Sequence, residues 1–151
     1  VWHNHDTHRR GAGSILCLGD HLFNKILAVD EHAWFRRLLI ELLLFKFPDT
    51  QILEADNAAL AMLLAEHHLP DVMIIDRNLS GIDALDVTRW FKQHFSHLPI
   101  ILLALDDDDV DHQEASQAGV DHFVNKKYVI IELIPALEEI LAKKMAGPSA
   151  R

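Results

Sequence analysis

Short apolar runs in this 151-residue chain end in residues that can do chemistry. KILAV is followed by Asp30-Glu31, VMII by Asp76, and PIILLAL by Asp106. The run around Phe123-Val124 is followed by Asn125-Lys126. Carboxylates from three separate segments, gathered at one rim, repel one another unless a cation joins them. Oxygen-only ligands suit Mg²⁺, which prefers near-octahedral oxygen and keeps some of its waters. A lysine beside them adds a donor for a phosphoryl oxygen. A carboxylate placed next to such a cation and an ammonium group can attack phosphorus and form an acyl phosphate. Neither GxGxxG nor GxxxxGK[ST] occurs, which argues against a nucleotide cradled at the first turn.

The elements that must position these residues follow from the pattern of the body. Lys25–Asp30 predicts a buried strand, and Ala33–Phe47 a helix stopped by Pro48-Asp49. Gln51–Ala55 predicts a second strand, and Asn57 can cap a helix over Ala58–His67 ahead of Pro70. Val72–Asp76 is a third strand, followed by a loop with Ser80 and Gly81 and a helix near Ala84–Phe95. Pro99–Leu105 is a fourth strand. Asp111 to Glu114 has the spacing of a capping box for a helix that Gly119 ends. Asp121–Asn125 is a fifth strand, and a last helix from about Ile130 to Lys144 is closed by Gly147-Pro148.

The strands are apolar throughout, as expected where both faces are covered by helices. Five βα units in succession predict an α/β doubly wound sandwich. In such sheets ligands bind beyond the carboxyl ends of the strands, where the strand order reverses. The first helix should bury Trp34, Phe35, Leu38, Leu39, Leu42 and Leu43, leaving Ile40 and Leu44 among charged neighbours. Pro135 falls inside the last helix and removes a hydrogen bond there.

Composition bounds the function. The net charge is −9, with 23 acidic against 14 basic residues, which argues against nucleic-acid binding by this chain itself. Half the residues are hydrophobic, yet no run reaches the ~20 apolar residues of a membrane-spanning helix. The single cysteine, Cys17, excludes an internal disulfide framework and fits a cytoplasmic setting. Residues 1–24 sum to zero charge and read as a leader or extension. Their His3, His5 and His8 are taken as a polar tail rather than a metal site. The acidic run Asp106–Asp109 is expected ahead of a helix N-terminus, where acids meet the helix dipole favourably. The expected organisation is therefore leader 1–24, one domain over 25–144, and a tail or linker start at 145–151.

KILAVDEHAWFR, PDVMIIDRNLSG and AGVDHFVNKK together resemble the receiver domain of bacterial two-component response regulators, and AVDEHAWFR is most similar to members of the LuxR/NarL type. The resemblance covers Lys25 to about Lys144. It implies a flavodoxin-like (βα)5 fold with a five-stranded parallel sheet in the order 2-1-3-4-5. It implies a phosphoacceptor at Asp76, with Asp30 and Glu31 as the acidic pair that places Mg²⁺ and the backbone carbonyl of Asn78 completing the metal shell. Lys126 matches the lysine that contacts the phosphoryl group, and Phe123 the aromatic whose rotamer follows activation. The implied partners are a sensor histidine kinase or a phosphotransfer protein, and a second copy through the face of the fourth helix, fifth strand and fifth helix.

The sequence also departs from the family pattern. Glu31 replaces the usual second Asp, Ser80 a proline, and Ala84 a glycine. Ala104 replaces the Ser/Thr whose hydroxyl binds the phosphoryl group, and bulky Leu105 follows it. Those departures motivate a second reading, a receiver that acts as an interaction module without phosphorylation. A Mg²⁺-dependent phosphatase-like or flavin-binding enzyme is disfavoured, because no second aspartate follows Asp76 by two residues and no phosphate loop follows the first strand.

Overall fold

The computed structural model describes residues 25–106 and 111–146. The leader 1–24, Asp107–Asp109 and Gly147-Pro148 lie outside the described residues. Strands β1 (Lys25–Val29), β2 (Gln51–Ala55) and β3 (Val72–Asp76) alternate with helices α1 (Ala33–Lys46) and α2 (Ala58–His68). A two-residue hairpin, β4 (Asn78–Leu79) and β5 (Ile82–Asp83), leads into α3 (Ala84–His94). Then come β6 (Ile100–Ala104), α4 (His112–Ala118), β7 (His122–Asn125), a 3-10 turn (Lys126–Tyr128) and α5 (Val129–Ala146). The main sheet has the order β2-β1-β3-β6-β7 with every pairing parallel. With the small hairpin set aside, that is the expected 2-1-3-4-5 order of a flavodoxin-like sandwich.

The pleat sorts each strand between two cores, because successive side chains point to opposite faces. Ile26, Ala28, Val72, Ile74, Ile101 and Leu103 meet Phe35, Leu39 and Leu43 of α1 and Leu133, Leu137 and Ile140 of α5. Leu27, Val29, Met73, Ile75, Ile100 and Leu102 meet the alanine face of α2, together with Leu85, Val87 and Phe91 of α3 and Ala115 of α4. Burying one Leu or Ile side chain in this way contributes about 1.5–3 kcal/mol. The sheet is thus clamped from both sides, and only its strand ends are free to carry a site.

Local signals act where expected at the helix starts. Asn57 Oδ1 accepts the Leu60 N–H, and Asp111 Oδ1 accepts the N–H groups of Gln113 and Glu114. Glu114 does not reach back to complete a box; its carboxylate pairs with Arg89 instead. Gly119 ends α4 at φ +109, and a Cβ there would stand 2.6 Å from Lys92 Cγ. Only glycine satisfies both constraints.

Several expectations are corrected. Trp34 is 72% exposed, because it precedes the buried stripe Phe35, Leu39 and Leu43 by one position and so points away from the sheet. The loop after Asp76 contains the β4/β5 hairpin. β2 is an edge strand, and Gln51 and Glu54 on it are exposed rather than apolar and buried. α5 starts at Val129 and continues through Met145-Ala146, past the expected end at Lys144. It also runs uninterrupted through Pro135, whose ring faces solvent. No helix among the described residues is long and apolar enough to cross a membrane.

Candidate functional site

The sheet order sets β1 and β3 side by side, so Asp30 and Asp76 emerge from adjacent strand ends. The ladder holds them to the last residue: Asp30 N–H donates to the Ala55 carbonyl and Arg77 N–H to the Leu103 carbonyl. Both carboxylates are buried, Asp30 at 0% and Asp76 at 1% exposure. Isolated buried charges would be prohibitively costly, so a counter-charge must be present. It comes from the end of β7. Lys126 Nζ stands 2.7 Å from Asp30 Oδ2 and 2.8 Å from Asp76 Oδ2.

The lysine is itself positioned from below. Its ammonium group lies 4.3 Å from the centroid of the Phe35 ring, a cation–π contact in a largely desolvated place. The Asn125 side chain accepts the Lys127 N–H and the Asn125 N–H donates to Glu132, which pins the turn that carries Lys126. Arg36 donates to the Asp30 carbonyl and pairs with Glu54, tying the β1–α1 turn to the edge strand.

The Asp76 carboxylate is oriented at both oxygens. Asn78 N–H donates to Oδ1 at 3.1 Å, and Lys126 donates to Oδ2. Burial pushes the Asp76 carboxyl above its ordinary value, with nearby Asp30 acting in the same sense; the Lys126 and Asn78 hydrogen bonds only partly oppose this. The cause is loss of solvation in a place where two carboxylates share one ammonium group.

Glu31 is placed differently from Asp30. Its carboxylate accepts the Ser80 N–H at 3.1 Å and so reaches across to the hairpin loop rather than into the crevice. Hydrogen bonds from Ser80 hold its carboxyl below the ordinary glutamate value. The group of ligand atoms that does converge is Asp30, His32 and Asp76, all within 4.8 Å of one another. His32 Nδ1 is 3.2 Å from Asp30 Oδ1 and 3.7 Å from Asp76 Oδ2.

These residues fit a divalent cation. Asp30 and Asp76 set two buried carboxylates against the single ammonium group of Lys126, so the crevice keeps a net negative charge. Hard oxygen donors of that kind suit Mg²⁺.

The remaining expected residues flank this centre. Ala104 is buried and sits opposite Asn125 in the β6/β7 ladder, with no hydroxyl to offer. Leu105 is 49% exposed and lines a small cavity of about 370 Å³ with His32, Trp34, Phe35, Lys126 and Lys127. Phe123 is half-buried and packs edge-on against His112, the first residue of α4, at 4.8 Å. Asp106 pairs with Lys127 at 2.6 Å, so this member of the acidic run bridges the β6 and β7 ends.

His32 and Phe35 were missed as site residues. The available signal was position: His32 is the N-cap of α1 and Phe35 lies in its first turn, just after Asp30-Glu31, where a side chain turned toward the sheet meets the strand ends.

Comparison with known proteins agrees with this geometry. Residues 26–138 match the response regulator receiver domain family. The chain superposes on a two-component response regulator of the LuxR family from Aurantimonas sp. SI85-9A1 with a TM-score of 0.73, at 27% identity over 78% of this chain and 84% of that one. It is 29% identical over 121 residues to the chemotaxis protein CheY of Pseudomonas aeruginosa, covering 79% of this chain and 97% of CheY. It is 27% identical over 120 residues to the virulence transcriptional regulatory protein PhoP of Shigella flexneri, covering 79% of this chain but 52% of that regulator. The chain thus spans about half the length of PhoP and 60% of a similar NarL regulator of Mycobacterium tuberculosis. With residues 26–138 matched and the parallel sheet, buried aspartates and strand-end lysine in place, the chain belongs to the receiver domains of two-component response regulators.

Proposed function

We propose that Asp76 accepts a phosphoryl group from a phosphohistidine on a sensor kinase or phosphotransfer protein, in a Mg²⁺-dependent reaction in the bacterial cytoplasm. The observation that carries this reading is the buried triad of Asp30, Asp76 and Lys126, drawn together within hydrogen-bonding reach from three strand ends. Asp30 and Asp76, with the Asn78 carbonyl, would hold Mg²⁺, whose charge offsets that of the phosphoryl oxygens. Glu31, one residue away, adds negative potential at the rim while holding Ser80.

The chain's own groups do the rest. Asn78 N–H holds Asp76 Oδ1, and Oδ2, which rests against Lys126, is the atom that would attack. The Oδ2–P bond forms as the N–P bond of the phosphohistidine breaks, and the departing nitrogen keeps the electron pair. Lys126 then exchanges its contact with Oδ2 for one with a phosphoryl oxygen, a charge-assisted hydrogen bond. The new charge biases the face of α4, β7 and α5 toward a second arrangement, with Phe123 and His112 at its hinge and a second copy of the chain as its partner.

The test is mass spectrometry after incubation with Mg²⁺ and a small phosphodonor, with Asp76→Ala as control. A phosphoryl adduct that needs both Mg²⁺ and Asp76 is the expected result. Its absence would leave the fold as an interaction module, in line with Ala104 and Leu105.

A further inference from the structure

We propose that residues 15–23 of the leader fold back into a cavity at the foot of the sheet, with Leu22 and Phe23 as the anchors that fill it. This docking is independent of the chemistry assigned to Asp76.

The cavity, about 680 Å³, lies at the amino ends of β3, β6 and β7, opposite the carboxylate crevice. That volume is in the range of sites that enclose an apolar occupant. Leu69, Pro70, Phe95, Leu98, Pro99 and Ile140 supply its apolar wall. The two acids on the wall are engaged. Asp71 Oδ2 accepts the Lys25 N–H, and Lys144 pairs with its other oxygen. Asp121 accepts the Ile100 N–H and pairs with Lys92. What the cavity offers an occupant is therefore chiefly apolar surface.

The point where the leader joins the domain identifies that occupant. Lys25 N–H donates to Asp71 Oδ2 at 3.0 Å, and the Asp71 N–H donates to the Lys25 carbonyl at 2.9 Å. Lys25 Nζ donates to the His68 carbonyl at 3.0 Å. Asp71 is itself a wall residue, so residues 1–24 enter the domain at the cavity rim. Phe23 and Leu22 stand two and three positions ahead of Lys25, a reach of about 7–11 Å at full extension.

Composition and charge match as well. Ile15, Leu16, Leu18, Leu22 and Phe23 make the stretch apolar, and Asp20 is its one carboxylate. Lys143 lines the cavity and makes no ion pair among the described residues. A segment tethered at the rim meets the wall at a high effective concentration, which a free ligand or a separate partner does not have.

Leu69 adds an independent sign. It ends α2 at φ +51, a left-handed conformation that favours glycine, and it is 67% exposed. A bulky apolar side chain is thus held at the cavity wall on backbone that does not suit it. Cover by the leader removes that side chain from water, which favours docking.

The experiment uses the full chain, methyl- and aromatic-labelled for NMR, alone and mixed with unlabelled chain to separate contacts within a chain from contacts between chains. The expected result is nuclear Overhauser cross-peaks within one chain from the Phe23 ring and Leu22 methyls to the methyls of Leu69, Leu98 or Ile140. A Leu22→Ser, Phe23→Ser double variant, altered outside the β/α domain, should lose those cross-peaks. It should also unfold at lower urea and bind the apolar dye anilinonaphthalene sulfonate more strongly, because the cavity is then open.

Absence of the cross-peaks in the unaltered chain would overturn the proposal, and so would a urea midpoint and dye response that the double variant leaves unchanged. Cross-peaks to the same wall from residues 147–151, or only between chains, would overturn it in favour of the C-terminal residues or a second copy as occupant.

Discussion

Lys126 and Asp76 lie fifty positions apart in the chain and 2.8 Å apart in space, with Asp30 sharing the same ammonium group. One positive charge thus serves two buried carboxylates. The arrangement is net negative, and it is held together chiefly by the lysine.

Replacing Asp76 by Asn should stabilise the protein at neutral pH. Burial raises the Asp76 carboxyl, so the folded state holds its proton more tightly than the unfolded chain does. For a carboxyl raised on folding, the contribution is fully present below the unfolded value and is lost as pH rises through the folded one. Wild-type stability therefore declines across that window, and Asp76→Asn escapes the decline. Thermal unfolding should give the variant a higher Tm at pH 7 and a gap that closes in acid. Parallel curves from acid to neutral pH would contradict this.

Lys126→Met should do the opposite. It leaves two carboxylates facing each other without a partner, and losing one member of a buried ionic cluster costs about 3–5 kcal/mol. Urea unfolding should show that loss without divalent cations and substantial recovery in millimolar Mg²⁺. An unchanged midpoint without Mg²⁺ would show that the lysine is not needed to hold the aspartates.

Ala104→Ser adds a hydroxyl at a buried strand end. With no phosphoryl group present the hydroxyl is short of partners, and stability should drop by about 1–3 kcal/mol. With beryllofluoride bound, the same hydroxyl gains a charged acceptor, and affinity should rise about tenfold. Calorimetry and denaturation on one variant thus give effects of opposite sign. A rise in neither affinity nor instability would place the Ala104 side chain away from the acceptor.

Pro135→Ala should stabilise the domain by about 1–3 kcal/mol, because proline in a helix interior lacks an N–H and crowds the carbonyl four residues earlier. Position 135 is solvent-facing and well inside α5, so the substitution disturbs no core packing. A urea midpoint at or below that of the wild type would mean that the chain around Ile131 has adapted to the ring.

Most of the architecture was legible from local patterns. Apolar runs of four or five residues separated by helix-length segments define βα units, and the residues that follow them can be listed before any folding is considered. Asp30, Asp76 and Lys126 were found in that way. Asn57 and Asp111 were visible as caps because a cap is decided within four residues.

The rest depended on distance. Trp34 and Phe35 are adjacent and both aromatic, yet one faces water and the other sits under Lys126. Periodicity alone cannot choose between them, since the exact rotation of α1 is set by α5 and the sheet. Glu31 and His32 are likewise adjacent and both able to bind a cation. The hairpin loop draws Glu31 to Ser80, and the opening turn of α1 leaves His32 beside the aspartates. The sequence by itself determined which elements form and which residues stand at their ends, because those follow from short-range periodicity and capping. Which of those residues meet in one buried crevice was decided only by the strand order and helix packing, because burial and close approach of charge depend on contacts between segments about fifty residues apart.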